Sequence, residues 1–253
     1  MLEWWVVGIS LAIASLLMGL SGFGFAIVAI SMMSFVWPVK QIVPFLFVYS
    51  LFINLALLAQ LWPHVRLRRI ALQAAAFAPG ALAGVYGLNH LPDGVLKLLI
   101  GLVLSGFALY SLLAAMPGPS RRPWGWHLLA GGVSGLLGGG VYMAGPPVII
   151  LNRLIHADRF AFKADLQLFF LLSNLYLAGA YGALGLFSGA LLRLNLYFTP
   201  VVLVALWGGV RWCRSISESR FRGIADTLLL VMGALLIARA LPAVLQAVTG
   251  GPA

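Results

Sequence analysis

Gly131-Gly132-Val133-Ser134-Gly135-Leu136-Leu137-Gly138-Gly139-Gly140 lies inside an apolar segment, 125–151, that is bounded by polar and basic residues. A shorter cluster of the same kind, Gly19-Leu20-Ser21-Gly22-Phe23-Gly24, interrupts the first apolar segment, 4–37. Hydrocarbon tolerates unpaired backbone only where it is buried in protein or lines a polar cavity, so a broken helix there needs a use. Breaks at corresponding points of two chain halves mark the substrate sites of many secondary transporters. The two clusters predict broken helices that meet near the middle of a membrane.

The bulk numbers agree with a bilayer as solvent. The 253-residue chain is 62% hydrophobic and 9% charged, with mean hydropathy +1.03. A soluble domain carries about 25% charged residues, so this chain cannot cover its surface with polar groups. Apolar stretches fall at 4–37, 42–62, 70–90, 94–115, 125–151, 160–184, 192–210 and 223–246. Most are long enough to span a core about 30 Å thick as one helix. The net charge of +10 is explained by basic loops that anchor orientation, with no need of nucleic acid as a partner. The lone Cys213 excludes an internal disulfide. Met1-Leu2-Glu3-Trp4-Trp5 lacks the basic start of a signal peptide and reads as an interfacial anchor retained in the protein.

Loop charge then sets the topology. If the first and fifth segments each crossed once, the arginines near residue 66 would face the opposite side from those of 211–222, against the positive-inside rule. If both are re-entrant, Arg66, Arg68, Arg69, Arg121, Arg122, Arg153, Arg159, Lys163, Arg211, Arg214, Arg220 and Arg222 all share one side. Only Lys40, Lys97, Arg193 and Arg239 then lie opposite. The expected fold is an all-α polytopic membrane protein of two inverted repeats. Each repeat is a re-entrant or broken-helix hairpin followed by three transmembrane helices. The repeats cover 1–116 and 124–253, joined by a linker at 117–123, with both termini outside. The glycine triplet leaves about 12 or 13 residues on each side in the fifth segment, too few to span at 1.5 Å per residue.

Other residues repeat in order. Asn54 matches Asn174, Pro79 with Gly87 matches Pro200 with Gly208, and Gly106 matches Gly233.

With these residues the chain resembles the sulfite exporter TauE/SafE family of membrane anion permeases. The resemblance rests on Gly19 to Gly24, and on Ser134 to Gly140 followed by Pro146-Pro147. It extends over most of the chain. It implies transport of sulfite, an organosulfonate or a related sulfur-containing oxyanion across a bacterial inner membrane. Phe25 stands where glycine is usual, and no proline follows the first cluster until Pro38. The first hairpin is therefore expected to be the less symmetric partner.

The residues themselves supply a chemistry for that role. A half-helix starting inside the membrane presents unpaired N–H groups and a positive dipole end, which hold an oxyanion without a buried cation. The expected contacts are Ser21, Gly22 and Gly24 in the first half, and Ser134, Gly135, Gly138, Gly139 and Gly140 in the second. The second half-helices are expected to begin near Phe25 and Val141. Asn54 and Asn174 need polar partners inside apolar helices, and Tyr142 can donate to an anion or pack at an interface. The alternative role for the glycines is close helix packing. Asp165, beside Lys163 and Gln167, reads as a site of proton coupling or as an interfacial pair near the basic loop. Asp226 reads in the same two ways. His64, His90, His127 and His156 sit at segment ends, with no metal-ligand spacing and no nucleotide loop, so no cofactor is implied.

Two other functions fit parts of the pattern. An anion channel also uses re-entrant hairpins. Gly19-Leu20-Ser21-Gly22 and Gly132-Val133-Ser134-Gly135 have the form of an intramembrane serine hydrolase, but such a nucleophile needs a base in reach and none lies at that depth. The reading carried forward is a carrier whose halves rock about a small anion, with the bilayer as its other partner; homo-oligomerisation is compatible with the sequence.

Overall fold

An apolar solvent leaves the chain one economical solution, in which each long apolar segment closes its own backbone hydrogen bonds as a helix. A computed structural model of the protein describes residues 2–65, 67–113, 122–155, 158–185, 189–212 and 218–249. Arg66, Arg121, His156, Cys213, Arg214 and the side chain of Ser21 lie outside what it describes, as does most of 117–123. Among the described residues the fold is all-helical. The first half contains α1 (Leu2–Ser21), α2 (Phe25–Met33), α3 (Val39–Leu61), α4 (Leu67–His90) and α5 (Asp93–Leu113). The second contains α6 (Trp124–Val141), α7 (Gly145–Ile155), α8 (Arg159–Ala183), α9 (Gly189–Trp212) and α10 (Glu218–Thr249). Among the described residues six helices, α1, α3, α4, α5, α8 and α9, are long and apolar enough to cross a membrane.

Both broken segments fold back on themselves. The Trp4 ring at the start of α1 stands edge-on to Trp37, just beyond α2, with centroids 5.9 Å apart. In the second segment, His127 of α6 and Asn152 of α7 both meet the Gln73 side chain, at 3.2 Å each. Each hairpin thus closes at its mouth, the second through Gln73 of α4. Its arms are unequal: the 20 residues of α1 and 18 of α6 make helices of about 30 and 27 Å. The 9 residues of α2 and 11 of α7 reach only about 14 and 16 Å. The equal arms of 12 or 13 residues expected for the fifth segment do not form, because its break falls beyond the glycine triplet.

Contacts at the helix ends sort the loops. Val39 N–H donates to Asp93 Oδ1 at 2.7 Å and Lys40 Nζ to the Asn89 carbonyl at 2.8 Å. The starts of α3 and α5 and the end of α4 therefore share one end of the bundle. At the other end, His64 lies against Phe160 with centroids 5.5 Å apart. There Arg153 Nη1 donates to Ser111 Oγ at 3.4 Å, and Ser111 donates to Asp226. The described flanks of all four basic loops gather at this second end.

Glycine governs how the helices pair. α4 lies along α6, α1 along α9, α5 along α10, and α3 against α8. A Cβ built on Gly131, Gly135 or Gly139 would come within 2.2, 2.2 and 2.3 Å of the carbonyl oxygens of Gln73, Phe77 and Ala81. Reciprocally, Gly80 and Gly84 of α4 face the Gly132 and Leu136 carbonyls at 2.2 Å. Gly19 and Gly209 bring α1 and α9 together in the same manner. Small residues of this kind let helix backbones touch where lipid gives no hydrophobic drive to associate. The cluster Gly131–Gly140 is thus an uninterrupted packing stripe. Its amides are spent within α6, which corrects the expectation that this run breaks the helix.

Candidate substrate-binding site

The first hinge uses glycine for its backbone. Gly22 has φ +80 and Gly24 φ +98, conformations open to glycine at little cost. Gly22 N–H still bonds the Met18 carbonyl at 2.7 Å, and the Gly22 carbonyl accepts from Gln167 Nε2 of α8. Gly24 then caps α2 without any side-chain hydrogen bond. The first N–H groups of a helix have no intrahelical partner, so those of Phe25, Ala26 and Ile27 are left to whatever faces them.

The second hinge uses a tyrosine. Tyr142, at φ 55, is the sole described non-glycine residue in the left-handed region. Its N–H and that of Met143 turn back onto the carbonyls of Gly138 and Leu137 at 3.1 Å each, closing α6 as a left-handed C-cap does. That conformation costs an L-residue roughly 1–2 kcal/mol. Tertiary contacts hold it: the ring is 5% exposed, and the hydroxyl donates to Asn174 Oδ1 at 2.9 Å, with Ser50 alongside. α7 starts at Gly145 rather than near Val141, whereas α2 starts at Phe25 as expected.

Both short arms begin at one cavity of about 60 Å³. That volume suits one small oxyanion; ligand pockets for larger molecules run from about 300 Å³ upward. The first turn of α2, from Gly24 to Ile27, and the start of α7 at Ala144 and Gly145 both line it. The polar side chains are Ser50 and Asn54 of α3, Tyr142, and Ser173 and Asn174 of α8. Each is at most 7% exposed on the protein as a whole. Apolar lining comes from Met18, Phe25, Ile27, Ile53, Ile149, Phe170 and Leu177. Ser173 Oγ has no hydrogen-bond partner. Among the described lining residues none is charged, so any attraction for an anion comes from helix ends and neutral donors.

The residues singled out in the sequence separate into two groups. Gly24, Asn54, Gly138, Tyr142 and Asn174 line the cavity. Gly22 is set back at the hinge, where its α-carbon faces the aliphatic stem of Lys163. Gly135 and Gly139 face the α4 backbone, and Gly140 faces Gly84. Ser134 is fully buried and its hydroxyl has no hydrogen-bond partner. Asp165 is fully buried in α8 with interactions of its own and does not line the cavity. Asp226 accepts from Ser111. Ser50 and Ser173 were missed. Ser50 sits one helical turn before Asn54, and Ser173 precedes Asn174, so reading the faces of the two asparagine helices would have found Ser50.

These features define a class: a polytopic membrane protein whose two helical hairpins close on a small, uncharged chamber lined by apolar side chains and a few polar ones. The chain belongs to the sulfite exporter TauE/SafE family, whose family model matches residues 7–236. This is a family of membrane transporters rather than enzymes. No match is found among characterised proteins or among solved structures.

Proposed function

We propose that the protein is a secondary carrier of a small anion, sulfite, an organosulfonate or a related sulfur oxyanion, working by alternating access. The observation that carries this reading is the first turn of α2, which lines the cavity together with Ser173 and its unpartnered hydroxyl. A helix N-terminus with nothing but neutral donors around it is a site for an anion. Family membership supports the same class of cargo.

The inverted-repeat reading, with 1–116 and 124–253 as the repeats, is supported by how the elements pair. Exchanging α1–α5 for α6–α10 turns α1 with α9 into α6 with α4, and leaves α3 with α8 and α5 with α10 unchanged. The hairpin mouths at opposite ends of the bundle support opposite orientations. The end that gathers the basic loops is the cytoplasmic one by the positive-inside rule, which puts both termini outside a bacterial inner membrane. The long arms α1 and α6 are held by backbone-level contact with α9 and α4, so the moving parts are the short arms α2 and α7, swinging about Gly22–Gly24 and Tyr142–Ala144. The buried lining favours a carrier over an open pore.

The test is uptake into proteoliposomes holding the full chain. Saturable uptake of sulfite or a sulfonate is expected, and its loss in Asn54→Leu with normal membrane insertion. Uptake of none of these anions, or wild-type uptake in Asn54→Leu, overturns the reading.

A further inference from the structure

The two helix ends at the cavity are chemically unequal, and this inequality narrows the cargo within the carrier reading on which it rests. α2 begins Phe25-Ala26-Ile27, three residues that each carry an N–H. α7 begins Gly145-Pro146-Pro147, and proline has no N–H to offer. The second helix lends its dipole and the Gly145 amide alone. The first lends a full turn of donors.

Ser173 adds a donor that the protein does not use. Its residue is 3% exposed, its Oγ has no partner, and it opens on this cavity. A buried hydroxyl left unpaired is unfavourable and points to a ligand that accepts from it. Asn174, whose Oδ1 accepts from Tyr142, lines the cavity beside it and carries an amide NH2 group of donor chemistry. Each helix N-terminus is equivalent to roughly half an elementary charge, so two together balance one negative charge. A second negative charge would be buried without a counter-charge, which a low-dielectric site opposes strongly. Beyond Ser50, Asn54 and Tyr142 the remaining lining, Ile149, Phe170 and Leu177 included, is apolar.

We propose that the cavity selects a singly charged anion bearing an apolar group, with the charged end on the α2 amides and Ser173, and rejects dianions of similar size. Methanesulfonate has the favoured chemistry, and sulfate the disfavoured.

The experiment measures labelled methanesulfonate uptake by the full-length protein in proteoliposomes, competed by unlabelled methanesulfonate or sulfate. Methanesulfonate is expected to compete at least about tenfold more strongly than sulfate, a difference of about 1.4 kcal/mol in binding. Equal competition by sulfate, or sulfate uptake without methanesulfonate uptake, overturns the charge preference and leaves an anion carrier standing. Uptake of neither, nor of sulfite, removes the carrier reading itself. Ser173→Ala is expected to raise the methanesulfonate KM about tenfold with little change in maximal rate; an unchanged KM removes Ser173 from the site. Pro147→Ala restores an N–H to the first turn of α7 and should strengthen competition by sulfate. No gain for sulfate there would show that the missing donors do not set selectivity.

Discussion

The hydroxyl of Tyr142 donates to Asn174 Oδ1 at 2.9 Å, joining the hinge of the second hairpin to the middle of α8. One bond therefore fixes both a left-handed backbone and the orientation of a cavity amide. Tyr142→Phe keeps the ring and removes the bond. Transport is expected to continue with a several-fold higher KM, and stability to fall by about 0.5–1.5 kcal/mol. A large fall in kcat at unchanged KM would instead make the hydroxyl a group needed for movement.

Gly135 and Gly106 provide a matched pair for the packing stripe. A methyl at Gly135 would lie 2.2 Å from the Phe77 carbonyl oxygen, while one at Gly106 meets nothing within 4 Å. Gly135→Ala forces α4 from α6 and is expected to cost about 1–3 kcal/mol. Gly106→Ala should be neutral or slightly stabilising, since alanine is the better helix former by up to about 1 kcal/mol. Thermal unfolding in detergent distinguishes the two, and equal melting temperatures would contradict the contact.

Gly24 separates backbone geometry from space. Nothing lies within 4 Å of a Cβ built there, yet its φ is +98. Gly24→Ala should therefore cost about 1–2 kcal/mol of local strain and displace the first turn of α2 from the cavity. The expected result is transport reduced at least about tenfold by a variant that still folds and inserts. Transport at the wild-type rate would mean that the α2 amides do not hold the anion.

The re-entrant course of the first segment is testable without substrate. With Cys213→Ser as background, Trp4→Cys and Trp37→Cys should be joined by a short bis-maleimide, because the rings they replace are 5.9 Å apart. In single variants, Phe160→Cys and Trp124→Cys should label from the same side of the membrane, and Leu192→Cys from the other. Failure of the crosslink together with opposite labelling of Trp124→Cys and Phe160→Cys would reject the hairpins.

The sequence foretold more of the frame than of the chamber. Helices and loops were legible because hydropathy and arginine placement respond directly to the bilayer. The first hinge was legible because Gly22 and Gly24 adopt conformations that favour their residue type. The second was misread for the same reason. Glycine also serves helix-to-helix contact, and in Gly131–Gly140 that use prevails. The true hinge falls on Tyr142, whose left-handed backbone is stabilised by Asn174, a residue 32 positions away. No local pattern announces such a position. Ser173 stayed hidden too, since a serine inside an apolar helix often bonds its own backbone, and only the folded cavity shows that this one does not.

The bare-backbone seams between α1 and α9 and between α6 and α4 have an architectural consequence. Each seam stitches the opening helix of one chain half to the fourth helix of the other, so the halves are interlaced like clasped fingers. A fragment ending at the connecting loop would carry two grooved helices with no mates. Co-expressed fragments should reassemble, whereas either one made alone should be cleared by proteolysis. The packing of this molecule thus cuts across the division of its chain into halves.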